Sequence, residues 1–222
     1  MFELWKDDMS RVRLDENSQA SGYLGKFWCD RTAWSDVAGV AFPYSNGAVA
    51  VDDRATSVMF GTTDGQYIGI TSMTQAAGYK VLNLVAPARA GFWVYAFGPR
   101  NVTISNSGLQ LLDISGNVTF DSGAKFLRIA GIQRGVTAGT EYSNPSGVPA
   151  LAAGMSHTGS WIQRNQVGQF QSFIFFVYGM RVSTATTAIA PIPRQGPINE
   201  FPPSSTPAPA ISPIIFADVT SY

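Results

Sequence analysis

Short runs of β-branched and aromatic residues, each closed within a few positions by Gly, Asn, Asp, Ser or Pro, recur along this chain and leave little room for helix. Apolar residues alternating with polar ones over four to eight positions pack one face of a strand, and the breakers between them set the turns. Read this way, strands are predicted at 2–6, 11–14, 48–51, 57–60, 67–71, 80–86, 91–97, 101–105, 109–113, 117–120, 125–130 and 173–182. One helical turn is expected at 73–79. No βαβ unit with a substantial crossover helix can be placed. The fold class is therefore all-β, with one or two small β-sandwich-like domains. Residues 1–98 read as an N-terminal β domain, and 99–186 as a second domain or the second half of the same sandwich. Residues 131–170 are rich in Gly, Ser, Thr and Gln, but a structureless loop of that length is improbable in a compact domain, so part of it should be strand.

Composition narrows the partners. Of 222 residues, 45% are hydrophobic and 14% charged, with fifteen basic side chains balanced by fifteen acidic ones. Five Trp, eight Tyr and fourteen Phe supply a core and argue against disorder of the whole chain. Zero net charge with scattered basic residues gives no electrostatic footprint for nucleic acid or an anionic membrane. Solubility then rests on Ser, Thr, Asn, Gln and Gly, a surface suited to assembly into a larger particle. The start, MFELWKDDMSRVRLDE, carries charges where an export signal needs apolar residues. No apolar run is long enough to span a bilayer as a helix, so neither export nor membrane insertion is expected. The single cysteine, Cys29, forbids an intramolecular disulfide and reads as a small buried hydrophobe between Trp28 and Asp30.

The C-terminus changes character. Eight of thirteen prolines lie between Pro191 and Pro213, and charge nearly vanishes after Arg181. Residues 187–222 are expected to be an extended arm, mostly outside a sheet because proline lacks a ladder donor. Pro202 and Pro203 mark the stiff part, and Ile214 and Phe216 head an apolar strand able to dock on a neighbouring subunit or domain. A flexible Pro-rich tail is the other reading.

Two stretches echo each other. Residues 2–15 (FELWKDDMSRVRLD) and 109–121 (LQLLDISGNVTFD) each pair an alternating strand, a polar turn and a second short strand ending in a large apolar residue and Asp. Each is predicted to be a β-hairpin, with Ser115-Gly116-Asn117 supplying turn chemistry in the second. That second copy carries Gly108, Leu109, Leu111, Gly116, Phe120, Asp121 and Ser122, followed by an apolar strand with Phe126, Leu127 and Arg128. This pattern resembles a segment recurring in tail-tip and baseplate-associated proteins of long-tailed bacteriophages. Ser107 stands where those proteins usually carry an aromatic, and the copy at 2–15 is a weaker form without the glycines. Together the matches cover about a fifth of the chain. They mark a structural element and no active site. The resemblance implies a structural virion protein at the distal end of the tail, forming a homo-oligomer and assembling with other tail or baseplate proteins or fibres. The alternative is a receptor-recognition module that binds a host surface glycan or protein.

Chemistry-bearing residues are sparse. His157 is the lone histidine and adjoins Ser156 directly, without a nucleophile elbow. One chain supplies no multi-histidine metal site. The carboxylate pairs Asp7-Asp8 and Asp52-Asp53 sit beside turns, where Asp satisfies backbone donors, and adjacent strand residues face opposite ways. The glycine-rich runs at 61–65 and 135–140 lack the phosphate-loop lysine and read as turns. No cofactor, metal or catalytic residue is expected, and the chain reads as a non-enzyme. Aromatics are the remaining resource. Trp93, Tyr95 and Phe97 share one strand face, either as core or as an exposed platform. Trp161 and Phe170 lie in the polar region and are, with Trp93, the candidate contacts for a partner or glycan.

Overall fold

The computed structural model describes residues 2–5, 11–14, 21–36, 44–99, 109–112, 115–116, 118–121, 125, 127–155, 159–167, 170–198 and 208–222. In chain order the strands are β1 (Phe2–Trp5), β2 (Arg11–Leu14), β3 (Gly22–Cys29), β4 (Trp34–Asp36), β5 (Ser45–Asp52), β6 (Ser57–Phe60), β7 (Ile68–Ala76), β8 (Tyr79–Ala86), β9 (Phe92–Gly98), β10 (Gln110–Leu112), β11 (Val118–Asp121), β12 (Ile129–Gln133), β13 (Glu141–Ser143), β14 (Leu151–Met155), β15 (Ser160–Val167), β16 (Phe170–Val182), β17 (Thr186–Ile198) and β18 (Ile214–Asp218). A single turn of 3₁₀ helix, Arg31–Ala33, joins β3 to β4. The all-β expectation holds.

Two open sheets carry the fold. The six-stranded sheet runs β12-β18-β14-β6-β9-β3. The eight-stranded sheet runs β13-β17-β16-β7-β8-β5-β4, with β15 pairing the first half of β16. Strict alternation explains the inward faces. In β5, Ser45, Gly47, Val49 and Val51 are buried while Asn46, Ala48 and Ala50 are exposed. Phe60, Phe92 and Val94 from the six-stranded sheet share one apolar cluster with Val49, Ile68, Leu82 and Leu84 from the eight-stranded sheet. Each such side chain contributes roughly 1.5–3 kcal/mol of transfer free energy.

The six-stranded sheet is apolar on its other face as well. Met59, Tyr95, Phe97, Ala152, Ala217 and Val219 form a second buried cluster, against which Tyr23, Leu127 and Tyr222 pack. Alternation along β9 produces both clusters: Phe92, Val94 and Ala96 join the first, Tyr95 and Phe97 the second. Tyr222 stacks on Tyr23 at 4.6 Å between ring centroids and meets Phe97 edge-on at 5.8 Å.

Both sheets draw strands from before and after residue 98. β6, β9 and β3 pair into one sheet with β12, β14 and β18, so the later strands complete the earlier sandwich. The expected strand at 101–105 lies outside the described residues. Residues 73–79, expected as a helical turn, instead end β7 and turn into β8 through Ala77-Gly78, with Ala76 opposite Tyr79. The ladder with Asn83, Leu82, Val81 and Lys80 outweighs local helical spacing.

The C-terminal expectation needs two corrections. Prolines 191 and 193 belong to β17 and face Tyr178 and Phe176 across a ladder. They are tolerated because, among the described residues, β13 flanks β17 only at Thr186–Ala188, leaving the rest of that side an edge where a missing N–H costs least. Ile214 and Phe216 are not a free assembly arm either. β18 is an interior strand, pairing β12 on one side and β14 on the other, with both side chains in the core. Pro202 and Pro203 lie outside the described residues.

Candidate functional site

The most exposed large aromatics on the six-stranded sheet stand opposite each other on β3 and β9. β3 is an edge strand, and its register sets Trp28 against Trp93 and Lys26 against Tyr95. Phe27 and Cys29 face the core, so alternation turns Lys26 and Trp28 outward. Trp28 is 48% exposed and Trp93 39%, with ring centroids 5.0 Å apart and planes tilted by 59°. The Lys26 ammonium lies 4.5 Å from the Trp93 ring centroid and 5.5 Å from that of Tyr95. Such cation–π contacts contribute about 0.5–1 kcal/mol at an exposed site. Tyr95 is buried, which raises its phenol above the usual range.

Polar groups around Trp28 are fixed by short-range chemistry. Asp30 caps the 3₁₀ turn, its Oδ1 accepting from the Thr32 N–H at 2.8 Å and the Thr32 hydroxyl at 3.0 Å. These bonds hold its carboxyl below the ordinary value, with a smaller contribution from the Trp28 indole. Arg31 pairs with Asp64 at 2.7 Å. Asp64 sits at φ 51° beside Gly65 in the turn closed by the Gln66 N–H on the Thr63 carbonyl, and it accepts from the Gly91 N–H at 3.3 Å. Its carboxyl is lowered chiefly by the Arg31 guanidinium. Gly91 leaves room for the indole: a Cβ there would stand 3.0 Å from Trp28 Cζ2.

Other concavities and clusters offer less chemistry. A cleft of about 420 Å³ opens between the sheets, lined by Met59, Ile70, Met73, Leu82, Ile129 and Met155 among others. Its polar lining consists of Thr56, Ser57 and Ser72, with no titratable side chain, so it has no acid or base to offer. Asp52 is clasped by Arg54 through Nε at 2.9 Å and Nη2 at 2.7 Å, and its carboxyl is lowered to about 2, first by that hydrogen bonding. It accepts from the Arg54 N–H too, the turn role expected of it. Among the described residues no group of three His, Cys, Asp or Glu is placed to hold a metal. His157 and Asp7-Asp8 lie outside them.

The hairpin of the resemblance has a definite geometry. β10 and β11 form a separate two-stranded antiparallel sheet, with Gln110 opposite Asp121 and Leu111 opposite Phe120. Gly116 takes φ 83° between them, and the buried Asp121 accepts from Gln110 Nε2 at 2.9 Å. Leu109 is exposed. The following run is tied to β3 by the Tyr23 N–H on the Lys125 carbonyl and the Leu127 N–H on Ser21. Leu127 packs in the second cluster, and Arg128 pairs with Asp218 at 3.3 Å. Gly108 and Ser122 lie outside the described residues. β1 and β2 form a second separate hairpin, as the echo predicts.

Trp161 requires a correction. It is 9% exposed, stacks on Phe176 at 5.4 Å and meets Tyr178 at 4.6 Å, so it fills core instead of presenting a platform. Its neighbours Ser160 and Gln163 are exposed, while the pairing of β15 with β16 sets Trp161 opposite Phe176. Phe170 begins β16 opposite Val167, its side chain outside the description. Of the two expected contacts whose side chains are described, Trp93 is exposed, beside Trp28, which the sequence reading does not single out. The signal was present: a buried Cys29 turns its neighbour outward once 22–29 is recognised as strand. No family model, curated protein or solved structure matches the chain.

Proposed function

We propose that this chain is a structural component of the distal tail of a long-tailed bacteriophage, joined there to copies of itself and to other tail or baseplate proteins. The observation that carries the reading is the hairpin β10–β11. The segment resembling tail-tip and baseplate-associated proteins is a self-contained antiparallel pair with a left-handed glycine at its turn, outside both large sheets. An isolated two-stranded hairpin is marginal in water, so two such elements beside one sandwich suit completion by neighbouring chains. The role is mechanical: a β-sandwich supplies rigidity, and the peripheral hairpins supply contacts. Electron microscopy of intact particles labelled with an antibody to the chain tests this. Label at the distal tail end is expected; label on the head or along the shaft overturns it.

A second reading has its own observation. The exposed Trp28–Trp93 pair suits a receptor-recognition module, since paired aromatics give large contact area at low conformational cost.

A further inference from the structure

We propose that Trp28, Trp93 and the polar groups around them form a binding site for an uncharged pyranose saccharide. The inference locates a site for the second reading and rests on neither the phage assignment nor the assembly role.

A sugar ring is amphipathic: one face of axial C–H bonds is apolar, and its rim carries hydroxyls that both donate and accept. A matching site therefore needs a flat apolar floor held rigid, with donors and acceptors at its edge. Trp28 supplies the floor. Its ring is half exposed, and the Lys26 ammonium lies over Trp93. Trp93, tilted by 59°, stands beside it as a wall. The floor is set by packing: the indole meets Trp93 at 5.0 Å between ring centroids, and its edge lies against Gly91, where an added Cβ would stand 3.0 Å from Cζ2. At the rim Arg31 pairs with Asp64, which also accepts from the Gly91 N–H, so donor and acceptor groups stand beside the ring. Little entropy is lost on binding to such a surface.

Charge selects the ligand class. Lys26 and Arg31 are balanced by Asp30 and Asp64, two cations against two anions, so neither an acidic nor a basic ligand is favoured. A protein partner of the same flatness is the competing occupant. The oligomeric-state measurement in the test below separates the two.

The test titrates the full chain with neutral oligomers of glucose, galactose and N-acetylglucosamine, reading tryptophan fluorescence and ligand saturation-transfer NMR. Binding to at least one, with Kd of about 1 mM or below, is expected. Affinity should change less than about twofold between low and high salt, because no net charge is neutralised. Trp28→Ala should weaken binding about tenfold or more, and Trp28→Phe should restore part of it. Gly91→Ala, whose Cβ would press on the ring edge at 3.0 Å, should weaken it more mildly than Trp28→Ala. Unchanged circular dichroism and melting certify that each variant is folded. No binding to any of the three oligomers overturns the proposal, as does unchanged affinity in folded Trp28→Ala. A wild-type oligomer that becomes monomeric on Trp28→Ala also overturns it, making the surface a protein interface. None of these outcomes bears on where the chain sits in a particle.

Discussion

Asp52 and Trp28 illustrate how much one side chain's neighbours decide. Asp52 lies at the end of β5, clasped at both oxygens by Arg54 two residues on, and its side chain is only 20% exposed. A carboxyl held down at about 2 is stabilising above its unfolded pKa, and that contribution disappears as pH falls from the ordinary carboxylate range toward about 2. Arg54 is half exposed, so solvent screening reduces the gain to about 1 kcal/mol. Asp52→Asn should therefore lower unfolding free energy by about that amount near pH 7, with wild type and variant converging near pH 2. Urea denaturation at the two pH values measures it; a constant difference would assign the effect to packing. Asp52's turn role was legible because Asp chemistry is local, whereas its bidentate partner required the backbone geometry. Trp34 shows the opposite limit. It covers Gly47, its cross-strand partner, so closely that a Cβ there would stand 2.6 Å from the ring. Nothing in either residue's sequence neighbourhood announces that contact.

At the scale of elements, β18 reverses the expectation most sharply. A Pro-rich run followed by a short apolar strand reads as an external arm, and the strand headed by Ile214 and Phe216 is present at Ile214–Asp218. Its neighbours were not legible, because which edge a strand joins depends on vacancies elsewhere in the sheet. Here β12 and β14 leave a gap that only β18 fills. Phe216 is nearly fully buried inside it, so Phe216→Ala should cost about 3–5 kcal/mol, a large share of a domain's total stability. The denaturation midpoint should fall with an unchanged slope. A loss below about 1 kcal/mol would mean the strand is peripheral in solution. β3 and β17 escape the sequence pattern for a related reason, since glycine and proline interrupt them and pairing supplies what propensity withholds; within 131–170 strand was expected but not placed, and β15 is part of it. The two hairpins were legible because both strands and the turn lie within a dozen or so residues.

For the whole molecule, the interleaving of strands decides cooperativity. Neither sheet can be completed from residues 1–98 alone, since β6 needs β14 and β7 needs β16. Fragments 1–98 and 99–222 should each lack cooperative thermal unfolding, while the intact chain shows one principal transition for the sandwich. Circular dichroism melts of the three polypeptides test this. Independent sigmoidal unfolding of either fragment would restore two domains. Pairing between strands so distant in sequence also places the fold among slow-folding β topologies.

By itself the sequence determined the all-β class, the positions of most turns, the two local hairpins and the inward setting of Cys29. Each follows from steric and hydrogen-bonding preferences acting over a few residues. Only the tertiary structure decided that β18 lies inside a sheet, that Trp161 is core, and that Trp28 meets Trp93 on an open face. Those outcomes depend on contacts between distant segments, as when the Val182 N–H meets the Thr63 hydroxyl across 119 residues. Side-chain alternation sets which way a residue points along its strand; only the sheet's neighbours decide whether that direction leads to core or to solvent.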